Sequence, residues 1–196
     1  MYNKSRFRLY CLLKDYIMPV YIALLRGINV GGHKKIIMAD LRNHFLKWGF
    51  KDVKTYIQSG NIIFTSEETK VEELSGRIRN GILNAYGFEI QVWVCERTKL
   101  NRIVGQNPYE NANDAGQKVY FIFMTSSPDA ELAARLQSVE FDNEEFTITR
   151  DCIFLYCKNG YGKAKCSSGF FETGLKVKTT ARNNRTVNKL IELSGL

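Results

Sequence analysis

The sequence predicts an α+β protein of two linked ferredoxin-like (βαββαβ-type) subdomains, with antiparallel sheets and a C-terminal helix. Three observations lead there. Residues 20–95 carry strand and helix signals in the order β-α-β-β-α-β. Residues 119–191 repeat β-α-β-β-α, the same unit without its last strand. Between the two, Asn107-Pro108 through Gly116 is rich in turn residues. The expected division is an N-terminal extension at 1–17, a first subdomain at 18–106, and a second subdomain with its C-terminal helix at 107–196.

The elements follow in order. Tyr21 to Leu25 is an apolar run of the kind a buried strand gives. Gly27, Gly31 and Gly32 break it, and His33, Lys34 and Lys35 follow. Met38, Leu41, Phe45 and Trp48 recur at helical spacing, with Gly49 as the stop. Val53 to Ile57 and Ile62 to Phe64 flank Gln58-Ser59-Gly60-Asn61, which reads as a β-hairpin. Thr69 and Glu72 have capping-box spacing ahead of a helix striped by Val71, Leu74, Ile78 and Ile82. Ile90, Val92 and Val94 alternate with Gln91, Trp93 and Cys95, a half-buried strand. A short helix is expected from Thr98 to about Gly105.

In the second half, Val119 to Met124 reads as a strand. Ser127-Pro128 reads as an N-cap with proline at the first helical position, opening a helix through Leu136. Phe146 to Thr149 and Cys152 to Tyr156 read as strands joined at Arg150-Asp151. Lys158 to Ala181 reads as an irregular basic segment ahead of a final helix bearing Val187, Leu190 and Ile191, with Asn183 or Asn184 as its cap.

The charge balance is uneven. Residues 1–17 hold four bases against one acid, and residues 158–196 hold eight against two, so the net +8 comes from the two ends. Basic ends point to an anionic partner or to a solvated surface. The five cysteines are odd in number and form no C-x-x-C pair, so neither a disulfide framework nor a zinc site is expected, and a reducing cytoplasm is. No apolar run reaches the length of a membrane span. No metal or cofactor is expected.

Three motifs carry a resemblance. LLRGINVGG with Lys35 and Met38, TYIQSGNIIF at 55–64, and KTTARNNRTVNKL at 178–190 together resemble the bacterial family named domain of unknown function 1697. The likeness runs from Met18 to the end. It implies two ferredoxin-like subdomains and brings no established biochemical function. Its motif positions also include Gly60 and Thr186. The family usually has an aromatic after the Arg-Asn pair, where this chain has Asn184.

The candidate ligand-binding residues are Arg26, Asn29 and Lys35 of the glycine loop, Gln58, Ser59 and Asn61 of the hairpin tip, and Lys178, Arg182 and Asn183 near the C-terminus. If these three clusters converge, they line a basic polar cleft. Its expected ligand is anionic: a phosphate, a nucleotide or a nucleic acid. Two other readings stand beside this one. The motifs could lock the two halves together, or Arg26 and Lys35 could hold a small anionic substrate for an enzyme using Ser59 or His33.

Overall fold

A computed structural model describes residues 18–112 and 118–195. The N-terminal extension expected at 1–17 lies outside these, as do residues 113–116 of the turn-rich segment. The architecture is α+β, with two four-stranded antiparallel sheets. The first half runs β1 (Val20–Leu25), α1 (Met38–Lys47), β2 (Lys51–Tyr56), β3 (Asn61–Thr65), α2 (Val71–Tyr86), β4 (Val92–Glu96) and α3 (Arg97–Val104). The second runs β5 (Val119–Met124), α4 (Ala130–Gln137), β6 (Glu144–Ile148), β7 (Cys152–Cys157), α5 (Ser168–Leu175), β8 (Thr179–Asn183) and α6 (Asn184–Ser194). Sheet orders are β2-β3-β1-β4 and β6-β7-β5-β8. The two orders correspond strand for strand, so the halves repeat one topology.

Three apolar cores hold the layers. The first lies between sheet one and helices α1 and α2, around Leu41, Phe45, Phe64 and Ile78. The third lies between sheet two and helices α4 and α5, around Ile153, Leu155 and Phe171. The second joins the halves: Ile22, Leu24, Trp93 and Cys95 of sheet one meet Phe121, Phe123 and Phe154 of sheet two, with Leu100 and Ile103 of α3 and Val187 and Leu190 of α6. Helix α6 touches β1, β3, β5 and β8, so it bridges both sheets. Burial on this scale supplies most of the stability, at about 25 cal/mol per Å² of apolar surface.

The central core explains why β4 departs from its pattern. The sequence reads as a strand with one wet face, yet Trp93 and Cys95 are as buried as Val92 and Val94. The second half covers the face that an isolated subdomain would leave in water. The faces of both sheets turned away from α1, α2, α4 and α5 are thereby filled, and neither is open for bases to stack on in the manner of RNA-recognition modules.

Four local expectations are corrected. Helix α2 has no capping box: Lys70 is its N-cap, and Ser66 and Glu68 side chains accept the preceding amides of Glu68 and Lys70 instead. Helix α4 is capped by Asp129, which accepts from Glu131 and Leu132 amides at 3.0 Å, not by Ser127. A carboxylate there also meets the positive end of the helix. The segment 158–181 is mostly regular, with a 3₁₀ turn at Tyr161–Lys163, then α5 and β8. The second half is therefore a complete β-α-β-β-α-β unit, and Arg182 lies in a strand rather than at an exposed helix start.

Candidate functional site: an arginine clasp and the groove beside it

The three polar clusters converge. Arg182 extends from β8, the edge of sheet two, to the end of β1 and the hairpin tip of sheet one. Its Nε donates to Asn61 Oδ1 at 2.5 Å. Its Nη2 donates to the carbonyls of Leu25 and Ser59 at 2.8 Å each and of Gly60 at 3.3 Å. Its Nη1 donates to Thr180 Oγ1 and to the Ala181 carbonyl. All five guanidinium hydrogens have acceptors, and the residue is 9% exposed. Burial lowers its pKa to about 10, so it stays charged at neutral pH.

The hairpin tip is shaped to receive it. Asn61 is fully buried, and its Nδ2 donates to Tyr56 O and Ser59 Oγ, which turns its oxygen toward Arg182. Gly60 has φ +78°, and a Cβ there would stand 2.7 Å from Leu25 Cβ. No side chain fits between the hairpin and β1. Asn29, at φ +56°, ties the leading loop to this hairpin through its side chain: Nδ2 donates to Ile36 O and Gln58 O, and Oδ1 accepts from Ile36 N.

A second tie lies alongside. Arg26 pairs with Glu172 of α5 and also reaches Gln91 Oε1 at 3.2 Å. Glu172 in turn accepts from the Thr179 amide at 2.6 Å. Burial raises the Glu172 carboxyl pKa, but the bonds from Arg26 and Thr179 and the charges of Arg26 and Lys178 outweigh it, so the pKa lies below the ordinary value. Asn183 accepts from Thr186 N at 2.8 Å, capping α6 with its own side chain. Lys35, Gln58 and Lys178 are exposed beside these ties. Asn184, at the position after the Arg-Asn pair, is buried in the first turn of α6 and accepts from Asn188 Nδ2 at 3.0 Å.

The halves meet at a second crossing, which the sequence reading missed. Trp93 Nε1 of β4 donates to the carbonyl of Met124, the last residue of β5, at 3.1 Å, and its ring stacks on Phe123 at 4.3 Å. Arg182 of β8 donates to the carbonyl of Leu25, the last residue of β1. Each half thus uses its fourth strand to complete the end of the other's first strand. Beside Trp93 runs a groove of about 440 Å³ between α2 and β4, reaching Lys99 and Thr125. It adjoins a polar recess of about 400 Å³ with Lys99, Arg102, Arg150, Ser126 and Ser127 on its walls. Asp151 pairs there with Lys99 at 2.8 Å and lies 3.7 Å from Arg102. No sequence motif marks this region, because its bases come from α2, α3 and the turn between β6 and β7.

The model of a family described as a protein of unknown function, DUF1697, matches residues 18–154. The chain belongs to this family. No functionally curated protein matches it. Among solved structures, a DUF1697 chain of this sequence is similar to the conserved bacterial protein SP0830 from Streptococcus pneumoniae, at 26% identity and a TM-score of 0.70, over 90% of this chain and 99% of that one.

Four cysteines of this DUF1697 protein lie among the described residues. Cys95, Cys152, Cys157 and Cys166 are free and buried. Burial raises the thiol pKa of Cys157 and of Cys166 to about 12 and pushes Cys95 and Cys152 well up, so the reactive thiolate is not formed near neutrality. No group of three or more His, Cys, Asp or Glu is placed to hold a metal ion among the described residues, and no helix among them is long and apolar enough to cross a membrane.

Proposed function

We propose that this protein is a non-catalytic interaction module of the cytoplasm, in which the polar motifs lock two repeated halves into one rigid body and the surface formed between the halves meets the partner. The observation that carries this reading is the Arg182 guanidinium. It is buried and spans the two halves, and every hydrogen it has is donated to protein acceptors. A cation so engaged is held for structure and is not free for a ligand. Arg26 is similarly engaged by Glu172 and Gln91. Four reduced, buried thiols fit a cytoplasmic setting. The test is thermal melting of Arg26→Ala and Asn61→Ala. Both lower Tm under the locking role, and an unchanged Tm in both removes it.

A second reading draws on the polar recess. Three bases and the hydroxyls of Ser126 and Ser127 around about 400 Å³ suit a phosphorylated small molecule or a nucleic-acid phosphate. Calorimetric titration with pyrophosphate and with a short RNA checks it. Binding that weakens steeply with salt supports it, and no heat at low salt removes it.

A further inference from the structure

The register of sheet one fixes which backbone groups of β4 face outward. Arg26 N donates to Gln91 O at 2.9 Å, so Gln91, Trp93 and Cys95 point their backbone groups at β1. Val92, Val94 and Glu96 point theirs the other way, where no strand among the described residues pairs with β4. An open strand edge is a template for another chain, and folded proteins blunt such edges.

The other three edges are blunted. On β6, Gln137 donates to Phe146 O and accepts from Ile148 N, both at 2.8 Å, occupying the outward groups with one amide. On β8, Glu172 takes the Thr179 amide and Arg182 takes the Ala181 carbonyl. On β2, the register shifts between Lys51 and Lys54, and Arg42 takes the Val53 carbonyl. On β4 the Val92 carbonyl is taken, by Ser75 Oγ at 3.0 Å. Among the described residues no side chain is bonded to the Val94 N–H or C=O.

The space beside this edge is also kept clear. Helix α2 forms the far wall of the groove, and at its middle is Gly76, where a Cβ would meet nothing within 4 Å. A glycine inside a helix costs about 1 kcal/mol relative to alanine, yet here no steric contact requires it. A strand edge facing a helix across an open groove is the geometry of β-strand addition, in which an extended peptide gains main-chain hydrogen bonds. The charges select the peptide. Arg79 lies one turn beyond Ser75 and has no ion pair among the described residues, and Lys99, paired with Asp151, lies in the first turn of α3 after β4. With Arg102 and Arg150 alongside, the bases outnumber Glu72 and Asp151.

We propose that β4 accepts an extended acidic peptide segment of a partner protein as a fifth strand of sheet one, with Val94 as the central backbone contact and Arg79 pairing a carboxylate of the peptide. This rests on the interaction-module reading and names the partner class.

The test uses the whole chain and a fluorescein-labelled heptapeptide alternating glutamate with valine and threonine. The proposal expects saturable binding and slowed hydrogen exchange at the Val94 amide. It expects a loss of at least about tenfold in affinity with Gly76→Trp, which fills the groove, and with Arg79→Glu. Gly76→Ala serves as the folding control, and both loss variants should keep the parent Tm. The same peptide N-methylated on alternate residues, or with lysine for glutamate, should bind at least tenfold more weakly. Equal binding of the N-methylated peptide, undiminished binding to Gly76→Trp, or no saturation up to about 1 mM overturns the proposal. So does sedimentation showing a dimer that Gly76→Trp dissociates, because a second copy then fills the edge. These outcomes are read at unchanged stability. Failure of the locking role is read separately, as an Arg182→Ala variant that melts like the parent.

Discussion

Asn61 of β3 and Arg182 of β8 stand 121 positions apart and meet at 2.5 Å inside the protein. The bond joins an edge strand of one sheet to the hairpin of the other, and both residues are buried. Asn61→Ala leaves the guanidinium Nε without its acceptor, an expected loss of about 1–3 kcal/mol in urea unfolding. Arg182→Ala takes the donor from the Leu25 and Ser59 carbonyls and from Asn61 Oδ1 together, while the Gly60 carbonyl keeps the Leu25 amide, and a loss above about 3 kcal/mol is expected. Because the two residues share one network, the double variant should fall short of the sum of the singles. Additive losses would show that the bond contributes nothing of its own.

The Arg26–Glu172 pair predicts an acid-sensitive fold. The Glu172 pKa is below its ordinary 4.5 in the folded state, so the folded protein holds the carboxylate and the unfolded chain takes up the proton first. The stability this group adds is complete above pH 4.5 and disappears as pH falls through the folded pKa. Glu172→Gln should therefore be less stable than the parent at pH 7 and approach it at low pH. Urea titrations at a series of pH values check this, and a constant gap between the two proteins would refute it.

Two glycines in one helix should behave in opposite ways. At Gly76 a Cβ meets open space, so Gly76→Ala is expected to stabilise by about 0.4–1 kcal/mol. At Gly81 a Cβ would lie 2.5 Å from the Trp48 ring, so Gly81→Ala is expected to destabilise by about 1–3 kcal/mol despite the same gain in helix propensity. Thermal melting of the pair decides, and a shift of the same sign in both would contradict the packing.

Iodoacetamide at pH 8 should leave Cys95, Cys152, Cys157 and Cys166 unmodified in the folded protein and label all four in urea. Their burial both shields the sulfur and keeps it protonated. Mass spectrometry of tryptic peptides reads each site, and rapid native labelling at any of the four would contradict it.

Much of the fold was legible because the first half is locally consistent. The Tyr21–Leu25 run, the α1 stripe and the Gln58–Asn61 turn each name their element without help from the rest of the chain. Strand β8 was not legible. Thr179 to Asn183 is polar except for Ala181, and its buried charge, Arg182, needs acceptors from the other half, Asn61 Oδ1 and the Leu25 and Ser59 carbonyls, beside those of its own strand. Helix α5 hides behind the two glycines of SGFFETGL. At the clasp, the motif resemblance pointed to the right residues, but it could not reveal that Arg26 and Arg182 find their acceptors within the protein. The groove had no motif at all. Its clearest trace in the sequence was Gly76 in a helix that did not need it.

The exchange of donors at the two crossings, Trp93 to Met124 and Arg182 to Leu25, makes the repeats mutually dependent. Neither half is a finished object. A fragment cut after α3 would expose Ile22, Leu24, Ile63 and Trp93 to water and leave the Leu25 carbonyl without its donor, so it should clump rather than fold alone. Mixed with its complementary fragment, it should recover solubility only as an assembled pair, behaving like one subunit of a heterodimer.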